Sequence, residues 1–391
     1  MLKSCFAYSM QVNSADNASR MENMWLETPL VRSPHLSEQL GCNVYLKLEN
    51  LQPSQSYKYR GISRFVQLAV ESHGSRTHLM IASSGNAGLA AAMSAKALGV
   101  RCMVFLPEGA SQRVLQIFQT QGADVRVHGK GYIDALKEAT VAAESDPDAV
   151  LLPSYDHPVL WEGHASMIEE VSRQLPVNCK PDAIFCSVGG GGLAGGVITG
   201  CRSVGWDDVP LVTMETSGSN CFYQSVALNE GPFVNGPGDP PSGVPSQYNA
   251  KHDVTVARLS KITSMASSLG ASSPAAAVVK MALTRKGRVK CVHADDTLAM
   301  QSCLRFADDH KMIVELACSV TLIPVYYPEL FHRLIPGERV DGRVRTVVFI
   351  VCGGFTTSVN SLGEYRGIIE ARNVQQCDVW CNGERWAISS I

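Results

Sequence analysis

A chain of 391 residues, 45% hydrophobic and 18% charged, is long enough for two domains with a large buried core and has the balance of an ordinary soluble globular protein. A net charge of −2, with no basic run and no acidic tail, gives no broad field aimed at nucleic acid or an anionic membrane, so neither is expected as a partner. Thirteen cysteines without one CxxC pair exclude the usual zinc spacing; most lie in apolar stretches, as small buried hydrophobes do in a reducing cytoplasm.

Residues 1–24 mix Ser, Asn, Asp and Arg, have no apolar segment suited to a signal peptide, and read as a loose extension. No apolar run reaches the roughly eighteen residues of a membrane span. Residues 44–48 are strand-like and precede Ser54-Gln55-Ser56-Tyr57-Lys58-Tyr59-Arg60-Gly61. Residues 79–82 predict a buried strand, Ser83-Ser84-Gly85-Asn86 a turn, and 87–98 an alanine-rich helix with Gly99 at its left-handed end. Strands at 100–106 and 125–128 alternate with helices at 111–120, closed by Gly122, and at 133–144. The rhythm resumes with a strand at 183–188, Gly189-Gly190-Gly191-Gly192, a helix at 193–204 and a strand at 211–215. A helix at 295–310 has Asp295 as N-cap, and the β-branched strand 345–351 runs into Cys352-Gly353-Gly354. This alternation predicts α/β architecture with parallel, covered sheets. Residues 229–249, rich in Gly, Pro and Ser, read as a surface loop, and 377–388 as a hairpin turning on Asn382-Gly383.

Three segments carry chemistry. Lys58 lies among small polar residues just after a strand; alone it reads as any surface lysine. Ser83-Ser84-Gly85-Asn86-Ala87-Gly88 joins a strand to a helix, where free backbone N–H groups bind anions and where Gly85 and Gly88 let a ligand approach. Gly189 to Gly192, also between strand and helix, suit a nest of N–H groups for a phosphate. No Gly-Lys-Ser/Thr follows, so this is not a P-loop, and no acidic residue stands where a dinucleotide fingerprint needs one. Together the loops surround a phosphorylated ligand beside a lysine.

Here the chain resembles the fold type II pyridoxal 5'-phosphate (PLP) enzymes, most closely the L-serine dehydratase and threonine deaminase family. The motif order matches over about residues 28–363. Ser56-Tyr57-Lys58-Tyr59-Arg60-Gly61 is similar to the family's Ser-Phe-Lys-x-Arg-Gly, and Ser83-Ser84-Gly85-Asn86 to its Ser-x-Gly-Asn. Trp161-Glu162-Gly163-His164-Ala165-Ser166, Ser187-Val188 with the four glycines and Leu193, Met214-Glu215-Thr216 and Val351-Cys352-Gly353-Gly354 resemble serine dehydratase in particular. The resemblance implies a tryptophan synthase β-like fold of two open twisted sheets flanked by helices. It implies a small domain of 51–155, a large PLP-binding domain of 1–50 with 156–376, and a C-terminal extension of 377–391. It implies α,β-elimination of a small β-hydroxy amino acid such as L-serine or L-threonine, through an aminoacrylate, to a 2-oxo acid and ammonia, in a cytoplasmic homodimer. Lys58 then holds PLP as a Schiff base and moves the α-proton. Gly189, Gly190, Gly191 and Gly192 bind the phosphate, Asn86 the ring hydroxyl, and Ser83, Ser84, Gly85 and Ala87 the substrate carboxylate. Tyr57 lies against the ring, Ser268 on its other face, and Cys352 at the pyridine nitrogen. A neutral thiol there makes a milder electron sink than a carboxylate would, which suits loss of a β-hydroxyl.

The chain departs from the family in three places. Ser84 replaces the alanine of mammalian serine dehydratases; serine racemases carry a serine there as acid/base, and two bases on opposite faces permit inversion. Serine racemases also follow the asparagine with histidine, where this chain has Ala87. The family's monovalent-cation site maps to Glu215 and Ser219, with backbone oxygens near Leu269 and Ala271, but Cys221 stands where the family has a hydroxyl, and a thiol is a poor ligand for a hard cation. Glu315-Leu316-Ala317-Cys318 replaces Glu-Pro-Ala-Cys. A β-replacement synthase using the same aminoacrylate, an amino-acid racemase, and a non-catalytic paralogue are the competing readings.

Overall fold

Three strands of the large sheet, Ala183–Ser187, Leu211–Thr216 and Thr346–Val351, are buried at every residue. Strands covered on both faces read as continuous apolar runs, and these form the middle of an eight-stranded sheet. The computed structural model describes residues 22–234, 236, 244–337 and 342–390. Across the large sheet the order is Leu30–Arg32, Asn43–Leu48, Thr346–Val351, Ala183–Ser187, Leu211–Thr216, Val289–Ala294, Gln376–Cys381 and Glu384–Ser389. The five strands from Asn43–Leu48 to Val289–Ala294 are parallel, with Val347 opposite both Val44 and Ala183. The outer strands are antiparallel. A second sheet, wholly parallel, has the order Asp124–Val127, Arg101–Leu106, His78–Ala82 and Ala149–Leu151. The predicted α/β alternation is therefore present, each strand and helix lying within one or two residues of its expected bounds.

The loops singled out in the sequence leave the carboxyl ends of parallel strands: Ser83 to Asn86 after His78–Ala82, the four glycines after Ala183–Ser187, and Cys352 after Thr346–Val351. Open α/β sheets bind ligands at such ends.

Three findings differ from expectation. Lys58 opens a helix, Lys58–His73, that is not among the expected elements; its buried Ile62, Val66 and Ala69 recur at helical spacing and face the core. The 229–249 segment is not all loop: Ser246–Asn249 pairs with Val254–Ala257, while residue 235 and residues 237–243 lie outside the described residues, as do 1–21 of the N-terminal extension. The C-terminal hairpin forms as expected, with Asn382 and Gly383 at φ of 46° and 92°, both positive as its tight turn requires. Rather than hanging free, it extends the large sheet, Cys381 pairing with Val292.

Every described cysteine is free, and all but Cys179 are buried. Among the described residues no helix is long and apolar enough to cross a membrane.

Candidate active site

Lys58 is held where two segments touch. Ser56 bridges to Gly353, the Tyr57 N–H donates to the Cys352 carbonyl at 3.1 Å, and the Gly354 N–H to the Gln55 carbonyl at 2.7 Å. Gly353 has a φ of 83°, and a Cβ there would lie 2.2 Å from the Gln55 oxygen, so only glycine lets the segments meet. The half-buried Lys58 amine donates to the Ser154 carbonyl at 2.5 Å. Burial, weakly opposed by nearby Cys352, lowers its pKa from 10.5 to about 8. A much larger neutral fraction at physiological pH makes this amine a nucleophile and a proton acceptor.

Arg60, two residues on, turns away from the cleft. It is fully buried, and its guanidinium bonds Glu49 at 2.6 and 2.7 Å and Glu170 at 2.6 and 2.7 Å. Its part in the motif is to anchor the helix that starts at Lys58.

The glycine loop packs against Tyr155. A Cβ on Gly190 would lie 2.5 Å from that ring, and Gly191 has a φ of 96°. Tyr155 is fixed by its hydroxyl on the Ser273 carbonyl at 3.1 Å and by Trp161 Nε1 on its own carbonyl at 2.8 Å. Ser154 thus holds Lys58 while its neighbour Tyr155 lies on the loop, which brings the lysine and the four glycines together. The loop opens the helix Gly192–Ser203, whose first N–H groups have no intrahelical partner and face an anion favourably.

Asn86 starts the helix Asn86–Leu98. Its Nδ2 donates to Glu315 Oε2 at 3.0 Å and to Ser268 Oγ at 3.3 Å, and its Oδ1 accepts from the Phe355 N–H at 3.1 Å. Cys352, whose carbonyl accepts the Tyr57 N–H, has its Sγ 3.5 Å from Ser187 Oγ. Of the small turn, Ser84 is exposed and the Gly85 N–H donates to Ser83 Oγ at 3.3 Å. A Cβ on Gly85 would meet nothing within 4 Å, so this side is open to a ligand. Gly88 corrects the expectation: a Cβ there would lie 2.5 Å from the Ser83 carbonyl, so it serves the turn itself.

Sequence reasoning missed Glu315 as a site residue. It is 3% exposed and bonds Asn86, Ser268 and Thr356. The available signal was a lone carboxylate in the apolar run Ile313-Val314-Glu315-Leu316-Ala317.

The residues of the expected cation site are bonded to the backbone around them. Both Glu215 oxygens accept backbone N–H groups, from Phe222 at 3.0 Å and Tyr223 at 2.6 Å. Ser219 Oγ donates to the Leu269 carbonyl at 2.7 Å, and the Cys221 thiol to the Gly189 carbonyl at 3.5 Å. Glu215 and the Leu269 carbonyl thus already accept protein hydrogen bonds, and the thiol that stands in place of a hydroxyl is a soft ligand, so the set is weakened for a hard cation.

The family model described as pyridoxal-phosphate dependent enzyme matches residues 22–353. The chain belongs to that family. The human serine dehydratase-like protein is 37% identical over 343 residues, 88% of this chain and 94% of that protein. Human L-serine dehydratase/L-threonine deaminase is 34% identical over 345 residues, 87% of this chain and 94% of the relative. The crystal structure of a fungal L-serine ammonia-lyase from Rhizomucor miehei superposes with a TM-score of 0.76 at 30% identity, covering 88% of this chain and 99% of that one. The fold is that of the type II PLP enzymes, and the residues here fit the cofactor: a lysine of lowered pKa, a side-chain-free loop at a helix start for a phosphate, and the buried Asn86 amide.

Proposed function

We propose that this PLP enzyme removes the β-hydroxyl and the amino group of a small β-hydroxy amino acid, L-serine or L-threonine, giving a 2-oxo acid and ammonia. The observation that carries the reading is the Lys58 amine, lowered to about 8 and held on Ser154 beside the Tyr155-packed glycine loop. Relatives at 37% and 34% identity over most of the chain, named serine dehydratase-like and L-serine dehydratase/L-threonine deaminase, support it.

Bound PLP supplies the electron sink for loss of the α-proton and the β-substituent. Lys58 tethers it and takes the α-proton. Gly189 to Gly192 hold the phosphate, Asn86 the ring oxygen, Tyr57 and Ser268 the ring faces, and the Cys352 thiol the pyridine nitrogen. Ser83, Ser84, Gly85 and Ala87 receive the substrate carboxylate. Ser84 is exposed and makes no hydrogen bond among the described residues, which supports a binding role over that of a second base. The division at residues 51–155, the homodimer and the cytoplasmic location belong to the same proposal.

The test is product analysis on L-serine and L-threonine, with and without added thiols and amines. A 2-oxo acid and ammonia are expected in both cases; an adduct with the nucleophile and no 2-oxo acid would establish a synthase instead. Chiral analysis of leftover serine, in wild type and Ser84→Ala, covers racemisation: D-serine formed faster than pyruvate would overturn the ranking.

A further inference from the structure

Glu315 is a buried carboxylate with no ion pair among the described residues, yet it accepts four hydrogen bonds. Oε2 takes Asn86 Nδ2 at 3.0 Å and Ser268 Oγ at 2.5 Å; Oε1 takes the Thr356 N–H at 3.0 Å and Thr356 Oγ1 at 2.7 Å. Burying a carboxylate is unfavourable unless its acceptor sites are filled, and here they are. The donors come from both halves of the molecule. Asn86 begins a helix of the four-stranded sheet, whereas Ser268 and Thr356 belong to segments around the eight-stranded sheet.

The 355–356 turn is also gripped from the other side. The Phe355 ring is buried against Phe118 at 6.2 Å between centroids, its N–H bonds Asn86, and Arg113 reaches the Phe355 and Thr356 carbonyls at 3.5 and 3.3 Å. Phe118 and Arg113 sit on the helix Gln112–Thr120 of the small sheet. One turn of the large half is therefore clasped by three small-half residues, and Glu315 ties that turn to Asn86 and Ser268.

We infer that Glu315 is a positioning residue: its carboxylate latches the two halves of the site together and fixes the Asn86 amide at the cofactor ring. This rests on the reading that the cleft holds PLP. The latch demands an acceptor on both oxygens. Glutamine has the same shape, but its NH2 must face a donor that cannot turn around. One orientation sets it against Asn86 Nδ2, the other against the Thr356 N–H. The isosteric Glu315→Gln variant should therefore break what a space-filling role would leave intact.

The experiment compares wild type, Glu315→Gln and Thr356→Val as purified full-length protein. Three readouts apply: the PLP dissociation constant by fluorescence titration, amide exchange of residues 86–98 and 354–357, and kcat with KM for L-serine. Glu315→Gln is expected to stay folded, weaken PLP binding by roughly 10- to 100-fold, the scale of a lost charged hydrogen bond, and lower kcat more than it raises KM. Exchange should rise in both segments even without cofactor. Thr356→Val, which loses one hydroxyl and keeps its N–H, should show the same changes at smaller size, and it decides the matter if Glu315→Gln does not fold. If both folded variants keep wild-type affinity, exchange and kcat and lose only thermal stability, Glu315 is merely structural and the inference falls alone. If wild type itself binds no PLP, the functional reading falls and takes the inference with it.

Discussion

Replacing Arg60 by methionine tests the scaffold under Lys58. Arg60 Nε bonds Glu49, Nη1 bonds Ser166 and Glu170, and Nη2 bonds both carboxylates, at 2.6 to 2.9 Å. Lys47 completes the cluster on Glu170 at 2.5 Å, so two cations face two carboxylates, all four side chains 5% exposed or less. Methionine fills much of the space but leaves two buried carboxylates against one ammonium. Among the described residues Glu49 keeps only Thr28 Oγ1 at 2.6 Å and Gln52 Nε2 at 3.3 Å. Breaking a buried ion pair from one side costs about 3–5 kcal/mol. Urea unfolding followed by tryptophan fluorescence should show that loss as a lower midpoint at unchanged slope. Arg60→Met/Glu49→Gln restores charge balance and should lose less than the single variant. Burial pushes the Glu170 carboxyl up, but Arg60 and Lys47 outweigh it and hold it below 4.5. In wild type that contribution is present above 4.5 and lost as pH falls through the lower folded value. In the variant Glu170, no longer held down by Arg60, protonates at higher pH than in wild type, so the gap to wild type should narrow on acidification. A single-variant loss under about 1 kcal/mol, or a double variant worse than the single, would refute this reasoning.

Other outcomes follow from the site. Cofactor-free enzyme should capture PLP at a rate rising with pH, half-maximal near 8 rather than 10.5, because the neutral amine attacks; borohydride reduction should label Lys58, and Lys58→Ala should neither be labelled nor turn over L-serine. Gly190→Ala and Gly196→Ala place a Cβ 2.5 Å from the Tyr155 ring and 2.3 Å from His164 Cβ respectively. Both should lose about 1–3 kcal/mol of stability by overpacking, but only Gly190→Ala should weaken PLP binding in dialysis; equal affinity in the two would argue against a phosphate on the loop. Replacing potassium by tetramethylammonium should leave activity unchanged in wild type, and Cys221→Ser, which supplies a hard oxygen, should make activity and melting temperature respond to potassium. Potassium dependence of the wild type would contradict the donor set described above.

What could be read in the sequence was local. Thr346–Val351 and Ala183–Ser187 are largely apolar because parallel strands are covered on both faces, and the four glycines stand out because such a loop is entropically unfavourable without a use. Glu315 stood out only as a lone carboxylate in an apolar run; its pairing with Asn86 could not be read, because the two are 229 residues apart and only the meeting of two sheets joins them. The sheet-extending place of the C-terminal hairpin was hidden for the same reason.

The motifs themselves were more legible than their meaning. Lys58 and Arg60 are two residues apart, which on a helix turns them roughly 200° from each other, so one faces the cleft and the other the buried ion cluster. Gly61 belongs to neither: a Cβ there would lie 2.5 Å from the Leu160 carbonyl and from His164. A Cβ on Gly163 would lie 2.7 Å from Gly61 Cα. The lysine motif and the Trp161-Glu162-Gly163-His164 motif are thus the two sides of one helix crossing, between Lys58–His73 and Pro158–Gln174. The same His164 meets Gly196 on the helix that follows the glycine loop. Pro158–Gln174 is therefore wedged through missing side chains between the helix carrying the lysine and the helix that opens from the glycine loop. Their separation is set by backbone contact, which side-chain motion cannot relax. A residue pattern that looks like chemistry is here mostly the spacer that holds Lys58 at a fixed distance from the loop.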